Sequence, residues 1–387
     1  MMTILLIIIY ASFISLGLPD SLLGSAWPSM YTNLEVSVSY AGAISMLVAG
    51  GAITSSFFSV KIIQKFGTGK VTAVSVFMTA FALLGFGISK SFIFLCIFSI
   101  PLGLGAGSVD AALNNFVALH YKARHMSWLH CFWGVGATIG PIIMSFNLHK
   151  SGWRSGYTTV GFIQCSLAAI LFLSLPIWNK IGKIQSDSSD DESSDFSFRE
   201  LIKIKGAKFA FLAFFFYCSL ESTCGLWGSS FMVLDRGMSP LDAARWTSLF
   251  YMGITFGRFI TGFLMIKISA SKMIQIGQGI IIISAILILL PLKDTFLGMG
   301  LFFIGVGCAP VFPCMIHQTP KKFGVELSQA MIGIQMACAY IATTFMPPLF
   351  GLMADKISIS LYPYFLIISL IFMVVMTEGL RKKVSVS

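Results

Sequence analysis

The chain reads as an all-α integral membrane protein of twelve transmembrane helices, built as two parallel-repeat six-helix bundles. Three observations carry that expectation. Of 387 residues, 56% are hydrophobic and only 11% charged, more apolar surface than a soluble fold of this size can hide. Apolar segments long enough to cross a bilayer at about 1.5 Å per residue recur between Gly, Pro and charged turns. A residue pattern near the start also returns about 200 positions later.

The segments fall at about 4–31, 39–60, 71–89, 91–119, 128–148 and 153–178, then at about 207–235, 241–266, 273–291, 295–317, 328–352 and 360–378. The expected organisation is a first bundle over 1–178, a cytoplasmic linker over 179–206, and a second bundle with a short tail over 207–387. Residues 185–195 of the linker carry five acids among serines, which repel one another and bury nothing.

The net charge of +10 does not point to nucleic acid, because the basic residues cluster between apolar runs. With the N-terminus inside, the inner loops and tail hold eighteen of the 26 Lys and Arg, the outer loops seven, and Arg258 lies in a span. That bias predicts cytoplasmic termini and a multi-pass protein of the cell membrane. The eight cysteines all lie in apolar segments without metal-ligand spacing, so they read as small buried hydrophobes. The first twenty residues have no basic start or cleavage site and read as a retained span.

Four matches support duplication. Asp20-Ser-Leu-Leu-Gly24 pairs with Glu221-Ser-Thr-Cys-Gly225 at an offset of 201, and Gly51 with Gly257 at 206. Gly103-Leu-Gly105 pairs with Gly305-Val-Gly307 at 202, and Gly140-Pro141 with Met346-Pro347 at 206. Six spans per copy leave both copies in the same orientation, a parallel repeat with its binding site at the midplane between them.

Polar residues inside the spans are the candidate site. Asp20 sits near the middle of the first span, where an acid costs about 2.5–3.5 kcal/mol and normally faces a water-filled cavity or a partner. Gly24 and Trp27, four and seven residues on, share its face if the helix is continuous. Asp110 and Asn114 lie one turn apart and can accept from and donate to hydroxyls, although a polar clamp between helices would use the same pair. His130 can titrate near neutral pH or make a membrane-edge hydrogen bond. Glu221 either binds substrate or pairs with Arg258. Gln335 and Tyr340 can line the cavity from the eleventh span. Trp27, Trp133 and Trp227 are candidates for stacking on a sugar's apolar face, although each reads first as packing, and Trp27 is the best placed of the three.

Four stretches are similar to the major facilitator superfamily, and within it to the fucose:proton symporter branch of sugar permeases. They are Gly103-Leu-Gly-Ala-Gly-Ser-Val-Asp-Ala-Ala-Leu-Asn-Asn-Phe116, Trp128-Leu-His-Cys-Phe-Trp-Gly-Val-Gly136, Ala309-Pro-Val-Phe-Pro313, and Gln335-Met-Ala-Cys-Ala-Tyr340 followed by Phe345-Met-Pro-Pro-Leu-Phe-Gly351. The resemblance implies the major facilitator fold, proton coupling through Asp20 and Asp110, and sugar recognition by Asp110 and Asn114; His130, by its own position near the cytoplasmic end of span five, reads as a group that tunes pH dependence. Two positions depart from it. Asp110 stands where the branch has a Glu, and Gln64 replaces the usual acid of the loop between spans two and three.

The resulting expectation is a secondary active transporter, a monomer moving a monosaccharide or related polyol with a proton rather than sodium, in contact with membrane lipid and with no metal, cofactor or nucleic acid. An exporter on the same fold and a non-transporting sugar sensor are the alternatives. No Ser/His/Asp or metal constellation points to an enzyme.

Overall fold

A computed structural model describes residues 2–121, 123–182 and 198–384; the acidic run of the linker lies outside them. The first half runs α1 (Met2–Asp20), α2 (Leu22–Asn33), α3 (Tyr40–Phe66), α4 (Thr68–Ile88), α5 (Phe92–His120), α6 (Ala123–Lys150) and α7 (Trp153–Gly182). A short α8 (Phe198–Leu201) precedes α9 (Ala207–Leu234), α10 (Pro240–Leu264), α11 (Ala270–Leu289), α12 (Asp294–Cys308), α13 (Val311–Phe323), α14 (Val325–Lys356), a 3₁₀ turn at Ile359–Leu361 and α15 (Tyr362–Lys383).

Eleven spans among the described residues are long and apolar enough to cross a membrane. Helix α10 is the twelfth. Its 25 residues reach far enough, at about 1.5 Å each, but Asp242, Arg245 and Arg258 make it more polar. Spans one and ten are each made of two helical pieces, α1 with α2 and α12 with α13.

Proline explains the first break. Pro19 has no N–H to give the Ser15 carbonyl four residues back, and an unsatisfied carbonyl is costly in hydrocarbon. Gln164 on α7 takes that role: its Nε2 donates to Ser15 O, while the Ser15 hydroxyl donates to Gln164 Oε1 at 2.7 Å. The helix restarts at Leu22, with Ser21 alone between it and the acid.

The repeat is visible in backbone contacts. A Cβ on Gly103 would lie 2.1 Å from Val48 O, and one on Gly305 would lie 2.0 Å from Phe250 O. Gly105 approaches Ser75 O as Gly307 approaches Gly277 O, at 2.6 Å in both cases. In each pair the glycine and its partner shift by the same 202 positions. Small residues therefore set the same interhelical approach in both copies.

The halves meet through α3 with α14, α6 with α10, and α2 with α9 and α10. Two of the polar contacts between them lie at the end away from the chain termini. Ser37 donates to Asp355 Oδ1 at 2.5 Å, and Ser145 donates to Leu241 O at 2.9 Å. Gly42 packs on Pro348, and Gly24 on the backbone of Gly225. The halves thus close together at that end, around a cleft halfway along the helices.

Candidate functional site

Asp20 ends α1 at the break, halfway along the span, and its side chain is exposed there. Its Oδ2 accepts from the indole Nε1 of Trp133 on α6 at 2.8 Å. The Trp133 ring carries the guanidinium of Arg258, from α10, at 5.0 Å from its centroid. Arg258 in turn reaches Glu221 on α9 at 3.9 Å. A cation–π contact and a loose ion pair share one arginine, so a chain of four side chains runs from an acid of one half to an acid of the other.

In the same half as Asp20, on α5, Asn114 donates from Nδ2 to both Asp110 Oδ1 and Asp110 O at 2.9 Å. This is the one-turn pairing that the spacing predicts. Asp110 lies within electrostatic reach of both Asp20 and Tyr340, and the Tyr340 hydroxyl faces Ser56 of the other half. His130 meets the Phe13 ring edge-on at 5.8 Å, on the Arg258 side of the cleft. The structure therefore gathers Asp20, Asp110, Asn114, Glu221, Arg258, His130 and Tyr340 around one space.

Two expected lining residues lie elsewhere. Trp27 is 0% exposed, and its Nε1 donates to Val38 O at 2.7 Å. The break at Ser21 separates its helix from that of Asp20, so the assumed common face is lost and the ring packs between α2 and the loop before α3. Gln335 is 2% exposed and accepts from Thr319 at 3.0 Å, inside the second half. Trp227 is packed as expected, donating to Pro347 O at 2.8 Å. The possible pairing of Glu221 with Arg258 is present, although at 22% and 18% exposure both side chains remain accessible.

Sequence reasoning missed three participants. Trp133 reads as packing because nothing in the sequence shows that its N–H meets Asp20. Tyr217, one turn before Glu221, faces that carboxylate and donates to Cys308 O at 3.2 Å. Tyr251, two turns before Arg258 on α10, holds its ring 6.5 Å from that of Trp133. Helical spacing from the charged residues was the available signal for both tyrosines.

No group of three or more His, Cys, Asp or Glu able to hold a metal occurs among the described residues. The cleft offers carboxylates, an amide, hydroxyls, an indole and one guanidinium, a set suited to holding a small polar solute.

A duplicated six-helix bundle closed around such a cleft defines a multi-pass membrane carrier. The chain belongs to the Major Facilitator Superfamily, whose family model matches residues 9–324 and 209–383. It is similar to the glucose/mannose transporter GlcP of Bacillus subtilis (strain 168), 22% identical over 310 residues, covering 79% of this chain and 77% of that protein. It is also similar to sodium-dependent glucose transporter 1 of Homo sapiens, 20% identical over 385 residues, covering 89% and 73%. Among solved structures, a point mutant of the nucleoside transporter NupG superposes with a TM-score of 0.79 at 12% identity, covering 97% of this chain and 98% of that one. A point mutant of the peptide transporter POT gives 0.77 at 12% identity, covering 98% and 95%. At such identities the solved structures speak for the fold alone.

Proposed function

We propose that this protein is a secondary transporter of the cell membrane, a proton-coupled symporter of a monosaccharide or related polyol in the fucose:proton symporter branch. The carrying observation is Asp20: an exposed carboxylate halfway along a membrane-crossing helix, at the break, within electrostatic reach of Asp110, which Asn114 holds. The sugar-transporting relatives and the branch motifs support the substrate class.

In this reading both termini are cytoplasmic, as the loop charges argue, and the half-to-half closure at the opposite end makes this an inward-facing arrangement. Substrate hydroxyls bond to Asp110 and Asn114. Moving a bare carboxylate through a dry, closed state is expensive, so Asp20 makes the loaded passage with a proton. Release of sugar and proton inside returns the charged form to Trp133. Asp110 serves in both coupling and recognition, and His130 tunes the pH dependence. Glu221 and Arg258 supply the second-half wall.

Counterflow of labelled monosaccharides in proteoliposomes tests substrate binding and turnover, and uptake driven separately by a pH or a sodium gradient tests coupling. Accumulation driven by sodium alone would move the chain to sodium symport. Exchange of lipophilic solutes but no sugar would make it an exporter, and binding without exchange a sensor.

A further inference from the structure

A separate cavity, mainly apolar in its wall but carrying a few polar groups, lies at the end of the second half that holds the chain terminus. It holds about 30 Å³ between α9, α11, α13, α14 and α15, roughly room for two waters or for the oxygens of one phosphoryl group. Its polar groups are unevenly satisfied. Glu378 accepts from Gln275 at 2.6 Å and pairs with Arg381 at 2.5 Å, so those charges cancel. Gln318 accepts from Ser271 at 3.1 Å, but its Nε2, in a side chain only 8% exposed, donates to nothing. Lys322, one turn later on α13 and half-buried, lies within electrostatic reach of Glu378 but makes no ion pair with it, since Glu378 is held by Arg381.

One buried amide donor without an acceptor and, one turn on, a half-buried ammonium thus line one cavity. A buried amide donor left without an acceptor is costly, which favours a ligand that supplies one. The surroundings are basic: Lys267, Lys272, Lys321, Lys382 and Lys383 lie at the same end of this half. A basic pocket between helices at the membrane surface suits an anionic headgroup.

We infer that the pocket of Gln318 and Lys322 binds a phosphoryl group, supplied by an anionic phospholipid headgroup or by free phosphate. The inference stands on geometry separate from the central cleft and does not depend on the transported solute.

The test is thermal melting of the full chain in detergent, titrated with phosphatidylglycerol, with phosphatidylcholine, and with inorganic phosphate against chloride at matched ionic strength. Phosphatidylglycerol should raise the melting temperature where phosphatidylcholine does not, and Lys322→Gln should raise the half-saturating concentration about tenfold, equivalent to about 1.4 kcal/mol. Gln318→Glu supplies the missing acceptor four residues before the lysine. It should melt higher without lipid and lose the lipid response. A response to inorganic phosphate that the same variants abolish assigns the site to the free anion. Equal response to both lipids, no response to any anion, or a response unchanged in both variants overturns the inference and leaves the cavity to water.

Discussion

The two halves share a scaffold and differ in chemistry. Gly103 and Gly305, or Gly105 and Gly307, make the same backbone approaches in each. The polar residues do not repeat. Offsets of 202 place Phe312 and Ile316 opposite Asp110 and Asn114, and an offset of 206 places Met336 opposite His130. Conversely, Arg258 corresponds to Ala52. Only the acids Asp20 and Glu221 survive in both copies, and their surroundings have diverged: one accepts from an indole, the other faces a guanidinium and a phenol. Packing that holds helices together is under the same constraint in both copies. Side chains facing the cleft are free to specialise.

The largest expected effect tests that specialisation. Asp20→Asn keeps a hydrogen-bonding group but cannot carry a proton, so uphill accumulation of labelled sugar in proteoliposomes should vanish while exchange persists. Accumulation at the wild-type level would remove Asp20 from coupling. Glu221→Gln should instead retain accumulation, and loss of coupling in both would mean that the acids act symmetrically.

The shared scaffold predicts matched damage. Gly103→Ala and Gly305→Ala each push a methyl onto a carbonyl oxygen about 2 Å away, and should each cost about 1–3 kcal/mol. Melting temperatures of the purified variants check this, and unequal losses would show that one copy bears more of the fold's stability.

The arginine of the second half gives a smaller effect. Breaking a buried ion pair costs about 3–5 kcal/mol, but the 3.9 Å separation and partial exposure of Glu221 and Arg258 reduce that to about 1–2 kcal/mol. Glu221→Gln should lower the melting temperature accordingly, with Glu221→Gln/Arg258→Gln recovering much of it. If the single variant melts normally and only its sugar affinity falls, Glu221 acts as a lining residue.

Smallest is a contrast between two tryptophans. Trp27→Phe loses one hydrogen bond, to Val38 O, worth about 0.5–1.5 kcal/mol, and should leave transport KM unchanged. Trp133→Phe loses the bond to Asp20 and should shift KM and the pH profile. A KM shift in Trp27→Phe would place its ring back at the cleft.

Those tryptophans also show what was legible in the sequence. The span limits were readable to within a few residues at most ends, because hydrocarbon demands continuous apolar helix and the turns break it with charge. Asp110 and Asn114 were readable as a pair because four residues on an unbroken helix fix their geometry. Trp27 was misplaced because the inference carried one helical face through Pro19 and Ser21. Gln335 was misplaced because an amide in a span can face the cleft or another helix of its own half, and periodicity does not distinguish them. Trp133 depends on a contact 113 positions away, which no local pattern encodes.

The approach of Gly24 to Gly225 has a consequence beyond packing. The two are counterparts in the repeat, so the axis relating the copies passes close to their contact. Contact between a residue and its own counterpart is what a symmetric dimer has at its two-fold axis. The two bundles of the single chain therefore meet near this glycine pair much as two subunits meet beside a two-fold axis.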